Sequence, residues 1–159
     1  MVARLLQSLM GRGARTGSAY DGRRLDEALG LLGRRVLVVD DNLANQSLAR
    51  AVLEAAGVEV VLAGDGVLAL EAMAEQPFDV VLMDVRMPRM SGPEALARIR
   101  AGEAGRPDTA VIALTADAED RRLVEKGFDG VLAKPARPAD LLATVTKAAQ
   151  APRRSVRAA

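Results

Sequence analysis

The chain has 159 residues, enough for one domain with a burial-competent core, and its net charge of +1 gives no general pull toward nucleic acid or membrane surfaces. Half the residues are hydrophobic but only 2% are aromatic, so the core must be built from Val, Leu, Ala and Met. There is no Cys and no His, which excludes a disulfide framework, thiol chemistry, and histidine acid–base or metal chemistry within the chain.

Residues 1–33 read as a basic, flexible N-terminal arm, acid-free before Asp21, with a short helical pattern over 25–32 (LDEALGLL). Leu5–Met10 is broken by Gln7 and Ser8, too short an apolar run for a secretory leader of at least ~7 residues. No run approaches the ~20 apolar residues of a membrane span. The expected setting is therefore cytoplasmic, with no membrane and no nucleic acid among the partners. A regular pattern starts at Arg34 and is taken as the domain, 34–150. Val36–Val39 is a short apolar strand followed by Asp40-Asp41-Asn42, and Asn45–Ala56 is a helix stopped by Gly57. Val58–Ala63 is a second strand, Gly64-Asp65-Gly66 a turn, and Val67–Glu75 a helix ending before Pro77. Asp79–Met83 is a third, fully buried strand ended by Asp84, and Pro88, Ser91, Gly92 and Pro93 mark a loop before a helix over Glu94–Arg100. Ala110–Leu114, a short helix at Glu119–Lys126, a strand at Gly130–Ala133 and a helix from Pro138 to Gln150 complete the domain, and 151–159 reads as a disordered C-terminal tail. Five apolar strands alternating with five helical segments predict an α/β, doubly wound, five-stranded parallel sheet covered on both faces.

The strand ends carry the chemistry. Asp40 and Asp41 follow strand one, Asp84 strand three, Thr115 strand four and Lys134 strand five. In a parallel sheet all of these reach one edge, the edge where ligands collect in open α/β folds. Clustered carboxylates repel unless a cation sits among them. Lys134 supplies one positive charge, and a hard divalent ion with oxygen ligands, Mg²⁺, suits the rest. Taken singly, Asp40 and Asp41 read as helix caps and Lys134 as a surface ion-pair partner; five such residues all on strand ends do not.

LVVDDN with Asp40-Asp41, MDVRMPRMSG with Asp84, ALTA with Thr115 and AKP with Lys134 together resemble the receiver domain of bacterial two-component response regulators over roughly Arg35–Ala149. Asn42 and Asn45 in DDNLAN resemble the receivers of hybrid histidine kinases and phosphorelays. The resemblance implies a flavodoxin-like (CheY-like) (βα)5 fold. It implies that Asp84 accepts a phosphoryl group from the phosphohistidine of a sensor histidine kinase or histidine phosphotransfer protein, and that a downstream protein reads the result. It also implies that Asp40, Asp41, Asp84 and the main-chain carbonyl of Arg86 hold Mg²⁺, that Thr115 and Lys134 contact the phosphoryl group, and that Lys134-Pro135 is cis. On this view the chain is no enzyme for outside substrates and catalyses only its own phosphorylation and dephosphorylation.

Three departures from the family pattern stand out. The switch position, usually aromatic, is Val131. The stretch from Thr115 to Lys134 is about three residues short, nearly one helical turn, so the fourth helix is shortened. Arg86 and Asp117 flank the site, and a pair between them across its mouth would govern phosphoryl lifetime. With no room for an ordinary output domain, a single-domain regulator is expected. A detached receiver of a hybrid kinase is the second expectation, and a phosphorylation-independent interaction module on the same scaffold is the alternative of a different class.

Overall fold

The computed structural model describes residues 30–153. Five strands form one parallel sheet: β1 (Arg35–Val39), β2 (Glu59–Ala63), β3 (Val80–Asp84), β4 (Ala110–Thr115) and β5 (Gly130–Ala133), in the spatial order β2-β1-β3-β4-β5. Between and after them run α1 (Leu43–Ala55), α2 (Gly66–Glu75), α3 (Gly92–Arg100), α4 (Arg122–Glu125) and α5 (Pro138–Gln150). The doubly wound α/β architecture expected from the sequence is the one observed.

Alternation along each strand divides the core, because successive side chains point to opposite faces. Leu37, Val39, Val81, Met83, Val111 and Ala113 face α2, α3 and the buried Leu123 and Phe128. Val36, Val38, Val80, Leu82, Ile112 and Leu114 face Leu53 of α1 and Leu141 and Val145 of α5. Every residue of β3 is buried, as befits a strand with a neighbour on each side and helices above and below.

Element boundaries shift by a residue or two from those read in the sequence, and caps explain most shifts. The first helix begins at Leu43 rather than Asn45 because the Asn42 side chain accepts the N–H groups of Ala44 and Asn45. The third helix begins at Gly92, where Ser91 and Glu94 form a reciprocal capping box. Asp79 precedes β3 rather than opening it; its carboxylate accepts the Arg35 N–H at 2.8 Å and pairs with Arg34. The largest correction is α4, four residues in place of the eight expected over Glu119–Lys126, because the Asp117 and Asp120 side chains bind N–H groups two residues on and hold the chain in turns.

The arm boundary at residue 33 is also corrected. Gly30 and Leu31 are helical, and Leu31 is buried among Val36, Leu53, Val58 and Val145, so the packed unit begins before Arg34. Most of the 25–32 pattern, and residues 154–159 of the tail, lie outside the described residues.

Candidate functional site

In-register parallel pairing fixes where the strand ends fall. Val39 pairs with both Ala63 and Met83, Asp84 with Leu114, and Thr115 with Ala133. Asp40, Asp84, Thr115 and Lys134 therefore emerge side by side at the carboxyl edge, beside the point where β1 is flanked by strands from opposite directions of winding.

Asp84, the last residue of β3, is 5% exposed. Its Oδ1 accepts the Arg86 N–H at 3.1 Å, and its Oδ2 lies 2.8 Å from Lys134 Nζ. Asp40 is 1% exposed; its Oδ1 accepts the Asn42 N–H at 2.9 Å. Its Oδ2 is shared between the Asn45 amide at 3.2 Å and Lys134 Nζ at 3.1 Å. Asp41 is exposed, and the ligand oxygens of Asp40, Asp41 and Asp84 lie within 4.8 Å of one another. The ammonium thus bridges two buried carboxylates while a third faces solvent. Thr115 is half-buried, and its hydroxyl accepts the Asp117 N–H at 3.1 Å. The Lys134 N–H donates to the Thr115 carbonyl at 2.8 Å, and the Lys134-Pro135 bond is cis, as the resemblance implied.

Electrostatics follow from that crowding. Burial raises the Asp84 carboxyl above its usual range, and the Asp40 charge adds to the rise, against opposing hydrogen bonds from Lys134 and Arg86. Burial alone would lower Lys134, but hydrogen bonds and charge from Asp84 and Asp40 outweigh it and hold the ammonium above its usual value. Three carboxyl groups thus share the site with one ammonium. An all-oxygen, carboxylate-rich cluster of this kind fits Mg²⁺.

A pocket of about 270 Å³ opens over Asp84, lined by Val85, Arg86, Thr115, Ala116, Asp117 and Lys134. Arg86 and Asp117 flank it, but they form no ion pair among the described residues, contrary to the expected pairing. The Asp117 carboxylate is occupied instead by the Glu119 N–H at 3.2 Å. Val131 lies partly buried against the α2 and α3 side of the sheet.

Three contributors escaped the sequence reading. Gln46, buried on α1, donates to the Asp40 carbonyl at 2.6 Å and the Ala63 carbonyl at 3.3 Å, pinning the β1–α1 loop under the site. Its signal is weak: an amide on the face that Leu53 carries into the core. Gly92 lies so close to Asp84 that a Cβ would strike the Asp84 carbonyl oxygen. The third is Arg89, whose guanidinium meets the buried Asp65.

Residues 36–146 match the family model described as the response regulator receiver domain. The chain belongs to that family. Curated relatives of this receiver include the sensor protein GacS of Pseudomonas syringae pv. syringae, 45% identical over 118 residues, which are 71% of this chain and 13% of that protein. The CAI-1 autoinducer sensor kinase/phosphatase CqsS of Vibrio cholerae is 39% identical over 106 residues, 65% of this chain and 16% of that protein. The chain thus spans less than a fifth of the length of either relative. Among solved structures, the receiver domain of the sensor histidine kinase PA1611 from Pseudomonas aeruginosa, with a magnesium ion coordinated in its active site cleft, aligns with a TM-score of 0.69 at 34% identity. The match covers 75% of this chain and 99% of that one. The co-crystal structure of the Saccharomyces cerevisiae histidine phosphotransfer protein Ypd1 with the receiver domain of Ssk1 matches at a TM-score of 0.67 and 27% identity, over 73% of this chain and 88% of that one. This receiver is accordingly a module of two-component and phosphorelay signalling, with the CheY-like fold.

Proposed function

We propose that Asp84 accepts a phosphoryl group from a phosphohistidine on a sensor histidine kinase or histidine phosphotransfer protein. A carboxylate oxygen of Asp84 forms the new P–O bond as the P–N bond to the partner's imidazole breaks, and the electron pair of that bond returns to the ring nitrogen. The observation that carries this reading is Lys134 Nζ held 3.1 Å from Asp40 and 2.8 Å from Asp84 beneath an open pocket, which puts a fixed positive charge where phosphoryl oxygens arrive. Asp40, Asp41, Asp84 and the Arg86 carbonyl are the groups to hold Mg²⁺, which supplies further neutralisation of the phosphoryl oxygens. Thr115 turns its hydroxyl from the Asp117 N–H to the phosphoryl group. The donor approaches over α1, where Leu43 and Leu48 stand exposed beside the carboxylates and offer an apolar seat for a partner helix.

On this reading the chain acts on no outside substrate, works in the cytoplasm and signals by protein contact rather than through nucleic acid or membrane. It serves either as a single-domain regulator or as the receiver portion of a larger sensor kinase. A phosphorylation-independent interaction module is the second reading, favoured by Val131 at the switch position and by the four-residue α4. Incubation with Mg²⁺ and acetyl phosphate separates the two. The expected outcome is a mass gain of one phosphoryl group, lost in Asp84→Asn; an unmodified wild type supports the module instead.

A further inference from the structure

The loop between β3 and α3 carries both the Arg86 carbonyl and the Asp84-bonded Arg86 N–H, so its position sets the geometry of one side of the site. The two ends of that loop are tied to each other at its neck. The Gly92 N–H donates to the Val85 carbonyl at 3.0 Å, and Gly92 packs directly on the Asp84 backbone. Its tip, at Arg89, is held differently. Arg89 has φ +64, the left-handed conformation that a non-glycine residue adopts only at a cost. In that conformation its side chain reaches Asp65, with Nε 2.8 Å from Oδ2 and Nη2 closing on the same oxygen.

Asp65 is no ordinary surface partner. It is 5% exposed and caps α2, its Oδ1 accepting the Leu68 N–H at 3.0 Å. Immediately beyond it, Gly66 lies against Met90, where a Cβ would sit 2.9 Å from Met90 Cγ. The start of α2 and the tip of the β3–α3 loop are thereby joined twice, by an ion pair with one buried member and by close packing one residue further on each side. An exposed ion pair contributes little, but one whose carboxylate is buried and already fixed by a helix cap constrains its partner's geometry.

We propose that Arg89 is a positioning residue of the phosphoryl site: its clamp on Asp65 holds the β3–α3 loop so that the Arg86 backbone faces Asp84. This rests on the reading of Asp84 as phospho-acceptor with Mg²⁺ beside it. Second-tier supports of metal sites typically alter affinity by 10- to 100-fold when removed, and this clamp lies one step further out. Arg89→Ala is therefore expected to weaken Mg²⁺ binding about fivefold, and to quicken amide exchange over 85–91 while leaving α5 unchanged. Asp65→Asn keeps an oxygen for the Leu68 cap and removes the charge. It should produce the same two effects, and the double variant should be no worse than either single one. Arg89→Gly relieves the left-handed backbone but still loses the clamp, so it should also bind Mg²⁺ more weakly than wild type.

The measurements are Mg²⁺ titration followed by backbone NMR, together with hydrogen exchange, at a temperature where every variant is fully folded. Unchanged Mg²⁺ affinity in Arg89→Ala overturns the positioning role, even if exchange quickens. So does additivity of the two single variants, or an Arg89→Gly variant that matches wild type. A wild type that shows no Mg²⁺ response at Asp40, Asp41 and Asp84 overturns the underlying reading of the site as well, a result distinguishable from failure of the clamp alone.

Discussion

Asp84 shares the Lys134 ammonium with Asp40, and both carboxylates are buried. Its carboxyl is raised by burial, with the Asp40 charge contributing. A raised carboxyl favours the folded state below its unfolded value near 3.8, and that advantage is lost as pH climbs through the folded value. Ionised Asp84 is thus a net burden on stability at neutral pH in the absence of a cation. Asp84→Asn should raise stability at pH 7 by about 1 kcal/mol, roughly 3 °C in Tm. The gain should vanish below about pH 4, where the wild-type side chain is itself neutral. Thermal melts across pH check this, and a variant that is no more stable than wild type at pH 7 contradicts it. The same residues show what a sequence reveals at this scale. Asp40, Asp41, Asp84, Thr115 and Lys134 were legible because each ends an apolar run, and a parallel sheet brings such ends together. Gln46 and the Asp65–Arg89 pair were not, because their partners lie across the fold and no local pattern marks them.

Among the described residues, the helices between and after the strands were legible in place but not in extent, since periodicity dates a helix from its first buried residue and the cap comes earlier. Leu48, Val52 and Leu53 are at helical spacing behind Asn45, whereas the Asn42 cap lets the first helix begin two residues sooner, at Leu43. In α4 only Leu123 is buried, while Val124 is exposed. With one anchor and side chains of Asp117 and Asp120 binding nearby N–H groups, a longer helix has nothing to hold it. The β3–α3 junction is the element where sequence and site meet most tightly. Gly92 begins α3 against the Asp84 carbonyl, so Gly92→Ala must push the helix away from the strand. It should cost about 2 kcal/mol and also weaken the Mg²⁺ response, because the displaced backbone belongs to Asp84 itself. Denaturant melts and Mg²⁺ titration read the two effects separately; an alanine variant with wild-type stability would mean the contact yields without strain.

At the scale of the molecule, the alternation of strand and helix announced a doubly wound sheet, while the order β2-β1-β3-β4-β5 depends on tertiary packing that no segment encodes alone. The limits of the packed unit were the least legible feature. Leu31, read as part of a loose arm, is 2% exposed and sits in the cluster on the α1 and α5 side of the sheet. Leu31→Ala should therefore cost about 2–3 kcal/mol, as a core leucine does, and a loss near zero in urea melts would return the residue to the arm.

Among the described residues β5 is an edge strand, bonded to β4 alone, and Lys134 stands just beyond it. During translation Asp40, Asp41 and Asp84 leave the ribosome well before their ammonium. A nascent chain that has reached only β4 holds its acidic residues without the ammonium that bridges Asp40 and Asp84 in the folded domain. On the proposed function, the site is complete only once β5 has paired with β4 and carried Lys134 to the side of Asp84.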